Sequence, residues 1–341
     1  MENLTHLMAG LLMSRAGLNR LAPRATLGLL LATNAPDLDI LAAGWGSLAY
    51  LRHHRGLTHG VVGVPLLAAL VALVMWLTRP RRPSPSLPFP WWRAYLVALA
   101  GVASHPLMDL TNVYGVRPWE PFASTWYSWD IEPLVDVWLT AGLLACLAGP
   151  ALGRLISGEI GARPGTGRAG AVAGLVFLAA WAGGRALLHH RAVAMLEAHL
   201  YGAIPAGTVD AEGRQPSLGE PPRRVAGFPN PINPFRWRGL VETEGFYQIL
   251  EVDALGSVDP TRGSIYYKPE PSPALEAALR APSAVRFAAF ARYPHVAVEP
   301  RDDGFRVVIS DFRFRGERPR AFVCAITLAR DWRVVREDFS F

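Results

Sequence analysis

Residues 52 to 60 read Arg52-His53-His54-Arg55-Gly56-Leu57-Thr58-His59-Gly60, and they hold three of the chain's nine histidines. An apolar run from Val61 to Leu77 follows at once. Imidazoles packed this densely carry desolvation and mutual charge penalties unless their lone pairs are recruited, usually by a metal. The stretch therefore calls for a fold that gathers polar ligands at one end of apolar helices. Further candidates flank it: Asp37 and Asp39 before, His105 and Asp109 after, and Asp130, Glu132 and Asp136 further on.

The apolar residues come in long blocks before His189 and in short alternating ones after it. A hydrophobic fraction of 51% and a charged fraction of 18% are unusual for a soluble protein. Together they point to a membrane half and a soluble half. Leu4 to Ala16 and Ala25 to Ala35 are each shorter than the roughly 20 residues a bilayer demands and read as a short-helix hairpin. Gly60 to Thr78, Trp92 to Asn112, Ile131 to Gly149 and Ala169 to Leu188 read as four long spans, with Trp91, Trp92, Trp119, Trp126, Tyr127 and Trp129 as an interfacial belt. The expected fold is thus mainly α. A polytopic membrane bundle over 1–190 is followed by a linker over 191–234 and a small α+β soluble domain over 235–341. Within that last domain Phe246 to Val252, Phe305 to Phe314 and Ala321 to Leu328 alternate like strands, and Pro273 to Arg280 and Ala284 to Arg292 look helical. Pro80 to Pro90 is an extended linker.

The net charge of +6 comes almost wholly from arginine, Lys268 being the sole lysine. Arginines between apolar blocks suit lipid headgroups, so membrane topology explains the charge and no nucleic-acid partner is expected. Ten arginines (15, 20, 24, 79, 81, 82, 93, 154, 163 and 168) fall on one side of the four-span topology and three (52, 55 and 117) on the other. The rich side would be cytoplasmic. All candidate ligands, and the C-terminal domain, then lie on the exoplasmic face. Cys146 and Cys324 are far apart and argue for no disulfide, and the first block lacks the basic leader of a cleavable signal peptide.

His105 and Asp109 are spaced i, i+4 and share a helix face, so both can meet one ion, or Asp109 can orient His105. The plainer alternative is a polar pair satisfying itself in a bundle core. Thr58 can cap a helix starting near Gly60, with His54 and His59 bracketing the turn, unless the triplet is only a solvated loop. Asp37 and Asp39 point the same way in extended geometry, although Asp37 can simply cap a helix. His6 is either a ligand or a core histidine, and Asp130 either a site carboxylate or a cap. His53 is the least secure of its triplet, and His189, His190, His199 and His295 show no partner spacing.

No nucleophile elbow, phosphate loop or zinc-protease helix occurs in the chain. Mixed His and Asp ligands favour Zn²⁺, with Mn²⁺ or Fe²⁺ as alternatives and Mg²⁺ less suited. A metal-activated water would attack an ester or phosphoester, with Asp39 or Asp130 as general base.

The set His6, Asn34-Ala-Pro-Asp37-Leu-Asp39, His54-Arg-Gly-Leu-Thr-His59 and Ser104-His-Pro-Leu-Met-Asp109 resembles the bacterial membrane-bound metal-dependent hydrolases, also described as LexA-binding, inner-membrane-associated hydrolases. Asn112-Val-Tyr-Gly115, Trp129-Asp-Ile-Glu-Pro133 and, in a long subtype, Asn233-Pro-Phe-Arg-Trp237 fit the same pattern. The resemblance covers about residues 1 to 190, and Gly60 stands where serine is common. It implies the bacterial inner membrane and a metal role for His6, Asp37, Asp39, His54, His59, His105 and Asp109. A more distant similarity to zinc-dependent phospholipase C and P1-type nucleases implies phosphodiester chemistry. The leading expectation is a multi-pass hydrolase acting on a membrane lipid or similar amphiphile at the bilayer surface. The alternatives are a non-enzymatic scaffold with a structural metal, whose C-terminal domain binds an unidentified protein, and a metal transporter.

Overall fold

The computed structural model describes residues 2–79, 89–159, 167–202, 219, 221–314 and 322–340, which leaves Arg81, Arg82, Arg163 and most of the proline linker outside the described residues. Helix α1 spans Asn3–Ala16 and stops at Gly17, whose φ of 140° lets its N–H turn back to the carbonyls of Met13 and Ser14. Helix α2 covers Ala25–Ala32, and a 3-10 segment, Ala35–Trp45, carries Asp37 and Asp39. Helix α3 is Ser47–His53; after a 3-10 turn at Leu57–His59, α4 runs from Gly63 to Leu77. Helix α5 is Trp91–Leu110, α6 Val137–Glu159 and α7 Arg168–Glu197.

The chain divides into two compact units. One comprises Met1–Leu41, His53–Leu187 and Pro231–Asn233; the other comprises Ala42–Arg52, Leu188–Asn230 and Pro234–Phe341. In the first unit, α2, α4 and α5 meet around Leu29, Ala32, Val71, Met75, Val97 and Val102. Small residues let their backbones approach closely: a Cβ on Gly101 would lie 2.6 Å from the Cβ of Ala32. A second cluster joins α1, α5, α6 and α7 through Met8, Leu12, Met108, Leu139, Leu143 and Ala171.

The expectation of four spans is overturned. Among the described residues only α7 is long and apolar enough to cross a membrane, or two segments if the bent pair Ser47–His59 and Gly63–Leu77 counts as one. Fifteen residues of α4 reach only about 22 Å against a hydrocarbon core of about 30 Å. Helix α5 is long enough, but Ser104, His105 and Asp109 dilute its apolar character. The segment expected to begin at Ile131 becomes helical only at Val137, and its apolar part ends at Pro150. The arginine tally loses its premise as well, and Arg55 and Arg117 are buried rather than set among headgroups. Leu66, Leu70 and Leu77 of α4 nonetheless face outward, as do Val176 and Leu187 of α7.

The strands of the C-terminal unit fall into two sheets. Strands β1 (Arg224–Pro229), β2 (Arg236–Glu242), β3 (Phe246–Asp253) and β4 (Ser264–Tyr267) form one antiparallel meander, whose first strand lies inside the stretch read as linker. Helices α8 (Pro273–Leu279) and α9 (Pro282–Phe290) follow, each opened by proline at its first position. Strands β5 (Pro294–Arg301), β6 (Gly304–Asp311), β7 (Val323–Ala329) and β8 (Val334–Ser340) make the second meander. The three stretches read as strands overlap β3, β6 and β7, with Ala321 outside the described residues, and the two read as helices overlap α8 and α9. Phe312 packs against Tyr247 and Tyr266, tying the sheets together. Buried Arg313 pairs with Asp311 at 2.8 Å and donates to the Phe290 carbonyl. Both described cysteines are free thiols.

The outward leucines generate a test. Leu29→Ala, at a fully buried site, should cost about 2–5 kcal/mol in denaturant unfolding. Leu70→Ala, half exposed on α4, should stay within about 0.5 kcal/mol.

Candidate metal centre

Four segments of the first unit bring their polar side chains to one buried point. Helix α1 supplies His6, the 3-10 segment Asp37, the turn Leu57–His59 His59, and α5 both His105 and Asp109. His6, His105 and Asp109 are fully buried, His59 nearly so, and only Asp37 keeps appreciable exposure, at 18% of its side chain. The Nε2 atom of His59 is 3.7 Å from Asp37 Oδ1 and 3.5 Å from Asp109 Oδ2. The Nε2 atom of His105 is 3.4 Å from Asp37 Oδ1 and 3.3 Å from Asp109 Oδ2. Donor atoms about 2.0–2.2 Å from a tetrahedral ion stand about 3.3–3.6 Å apart, so these edges match the size of a zinc site. All four ligand atoms lie within 4.8 Å of one another.

The orphaned atoms make the same point. Both Nε2 atoms are buried with no hydrogen-bond partner at acceptable geometry among the described residues. Unpaired buried polar atoms are rare because each costs about 1–3 kcal/mol. Neighbours fix the opposite ring nitrogens. His105 Nδ1 donates to the Thr33 carbonyl at 2.7 Å, which leaves Nε2 as the atom facing the carboxylates. His59 Nδ1 meets Thr58 Oγ1 at 3.0 Å and Asp39 Oδ2 at 3.4 Å.

Asp39 organises the loop rather than joining this group. Its Oδ1 lies 2.8 Å from His54 Nδ1, while its Oδ2 accepts from the Arg55 amide at 2.8 Å and from Thr58 Oγ1 at 3.1 Å. Thr58 is thereby spent on Asp39, and α4 starts at Gly63 without a side-chain cap. Asp37, Asp39 and His54 form a second, looser group that shares Asp37 with the first. Its carboxylate Asp39 is already engaged on both oxygens, so the first group is the better ligand set. His53 is exposed. Asp130 sits in the loop after α5, bonded to Ser128, and does not join the converging carboxylates. His6 stacks on the His105 ring at 3.8 Å and brings Nε2 within 3.5 Å of Asp109 Oδ1. A Cβ on Gly60 would come 2.8 Å from the Glu120 carbonyl, so in this chain serine there requires the loop to shift.

Sequence reasoning missed Arg55, which it counted only as a topological charge. Its Nη2 lies 3.2 Å from Asp109 Oδ1, and its Nη1 donates to Asn112 Oδ1 at 3.0 Å. Asn112 in turn donates to Asp109 and accepts from the amides of Tyr114 and Gly115. Arg55 adopts φ 55°, a left-handed conformation worth about 1–2 kcal/mol of strain, which its amide and guanidinium bonds offset. The signal was its position inside the histidine run.

Electrostatics keep two rings neutral. Burial lowers His6 to about 3 and His59 to about 4, against partial compensation from Asp109. Burial acts on His105 too, but the facing carboxylates of Asp109 and Asp37 prevail and raise it to about 9. Asp37 resists its own burial through His105 and falls to about 2. Arg55 and the histidines hold Asp109 well below the ordinary carboxylate range despite complete burial.

These shifts fix the pH profile of the metal-free protein. The raised His105 contributes stability in full below about 6.5 that is lost as pH climbs through about 9. The lowered His6 and His59 contribute stability above about 6.5 that is lost as pH falls towards about 4. Thermal unfolding of chelator-treated protein should therefore peak near pH 6.5, and His105→Gln should flatten the alkaline limb.

No solved structure matches the chain. Residues 273–340 match the YfhP C-terminal alpha/beta plait domain, which corresponds to α8, α9 and the second sheet. The protein named Uncharacterized protein YfhP from Bacillus subtilis (strain 168) is 24% identical over 128 residues, which is 38% of this chain and 37% of that relative. The alignment thus spans little more than a third of the relative's length. Residues 1–192, more than half of the chain and the whole of the candidate centre, match the YdjM inner membrane protein model, and the chain belongs to the YdjM inner membrane protein family.

Proposed function

We propose that this inner-membrane-family protein is a metal-dependent hydrolase acting on a phosphoester or ester of a membrane lipid or similar amphiphile. One observation carries the reading: the Nε2 atoms of His59 and His105 each stand 3.3–3.7 Å from the facing oxygens of Asp37 and Asp109, and both Nε2 atoms lack a hydrogen-bond partner among the described residues. That donor set suits Zn²⁺, with Mn²⁺ or Fe²⁺ as alternatives, and such an ion supplies Lewis acidity and a nucleophilic water near neutral pH.

The chain's own residues then divide the work. His59, His105, Asp37 and Asp109 hold the ion. His6 packs against His105 and, with Arg55 and Asn112, fixes the Asp109 carboxylate. Asp39 orients His54 and His59, in the way a carboxylate behind a ligand histidine sets its tautomer and aim. Asp37 is the most accessible of the four, so substrate approaches from its side. His54, partly exposed and backed by Asp39, is placed beside that approach to take up and return a proton.

A second reading has a specific observation in its favour. Four protein ligands complete a tetrahedron, as structural zinc sites do, and a regulator or scaffold would need no open position.

Elemental analysis joined to a competitive zinc titration tests both. The wild type should hold stoichiometric metal, and His59→Ala, His105→Ala and Asp109→Ala should abolish it. Asp39→Asn should weaken binding roughly 10–100-fold, and His53→Ala should change nothing. Hydrolysis of a short-chain phosphodiester amphiphile that disappears with the metal supports the enzyme. Bound metal without turnover favours the scaffold, and a folded wild type without metal contradicts both.

A further inference from the structure

Residues Leu107 and Thr111 stand on the side of α5 away from His105 and Asp109, since positions two and six residues after His105 fall across the helix axis from it. There Glu132 is buried completely, and neither of its oxygens has a partner at hydrogen-bonding geometry among the described residues. Its charged neighbours are otherwise engaged. Arg185 Nε stands 3.9 Å away and donates to the Ile131 carbonyl at 3.0 Å. Asp136 Oδ1 accepts from the amides of Trp138 and Leu139, and its Oδ2 accepts from Trp181 Nε1 at 3.3 Å.

Glu132 forms part of the wall of a cavity of ≈ 220 Å³ between α5, α6 and α7. The remaining wall is apolar, with Met108, Leu139, Leu178, Ala179 and Ala182 among its members. The hydroxyl of Thr111 is already spent on the Met108 carbonyl. An apolar cavity of about 150 Å³ accepts the six carbons of benzene, so this one has room for roughly nine non-hydrogen atoms. Ala179 is exposed, which leaves an entrance beside α7, the one described helix able to cross the bilayer unaided. Burial and the neighbouring Asp136 push Glu132 up to about 9, against Arg185 and Trp181, which favours the protonated carboxyl near neutral pH. A buried carboxyl whose oxygens have no hydrogen bond at good geometry among the described residues, beside an apolar hole of this size, is expensive for the protein alone.

We propose that this cavity binds an alkyl chain bearing an oxygen acceptor, the chain against Leu139, Leu178 and Ala182 and the oxygen accepting from the Glu132 carboxyl. A free single-chain alcohol or fatty acid and the ester-linked chain of a phospholipid present the same chemistry. The site is separate from the metal centre and requires no ion.

Photo-crosslinking of the full chain in phosphatidylcholine nanodiscs tests the site, with chelator present so that metal plays no part. Three probes carry a diazirine on a chain of about nine carbons, matched to the cavity. They are an alcohol, the same chain without a head group, and a phosphatidylcholine. Labelling by the alcohol should concentrate on the peptides containing Met108 and Leu178. Ala182→Trp should lower it at least about ten-fold by filling the space, and Ala179→Leu should give a milder loss if the larger residue unfolds the chain. Glu132→Leu should lower labelling by the alcohol several-fold and leave that by the headless chain unchanged. The same pattern from the phosphatidylcholine probe alone identifies a lipid chain as the occupant. Labelling spread evenly over the outer face of α7, or indifferent to these substitutions, overturns the proposal.

Discussion

The first unit is built around the burial of one carboxylate. Asp109 has no solvent access and sits among His6, Arg55, His59, His105 and Asn112. A buried carboxylate without partners is prohibitively costly, and removing one partner from a buried pair typically costs about 3–5 kcal/mol. These neighbours come from four segments, so the need to satisfy Asp109 ties α1, the histidine turn, α5 and the loop after it into one arrangement. Arg55 covers one oxygen and leaves the other to the histidines. That division makes the group ready for a cation instead of neutralised.

Around this point the turn from His54 to His59 depends on Asp39. A single carboxylate takes the Arg55 amide, the Thr58 hydroxyl and two imidazoles. The dense histidine run is thereby sorted into different roles. His59 turns inward, His54 stays at the rim and His53 faces solvent. The fixed ring tautomers at His59 and His105 follow from ordinary backbone and side-chain partners, so the geometry needs no ion to be assembled.

The sequence reveals the chemistry of the site better than its surroundings. The i, i+4 pair His105 and Asp109 is legible because helix periodicity alone puts both on one face. The convergence of His6, Asp37 and His59 with them is tertiary, and the route to it by counting arginines across four spans relied on crossings that α4 and the apolar part of α6 are too short to make. Asp37 and Asp39 lie in a 3-10 segment where extended geometry was expected, so their carboxylates part company into separate roles. Thr58 reads as a helix cap by its position, but Asp39 competes for its hydroxyl, a contact 19 residues away that no local pattern announces. Arg55 was hidden for a related reason: a charged residue in sequence looks solvated until its burial is seen. In the C-terminal half, β-branched and aromatic residues broken by single polar ones made β3 and β6 plain, whereas β1, with Gly227 and Pro229 in a stretch rich in both residues, resembled a linker.

X-ray absorption spectroscopy at the zinc edge, on the full chain loaded with one equivalent of zinc, reads the ligand set itself. The first shell should hold about four nitrogen and oxygen neighbours at about 2.0–2.2 Å, two of them imidazoles. A shell of oxygens alone, or a folded wild type that retains no zinc, would contradict this metal centre.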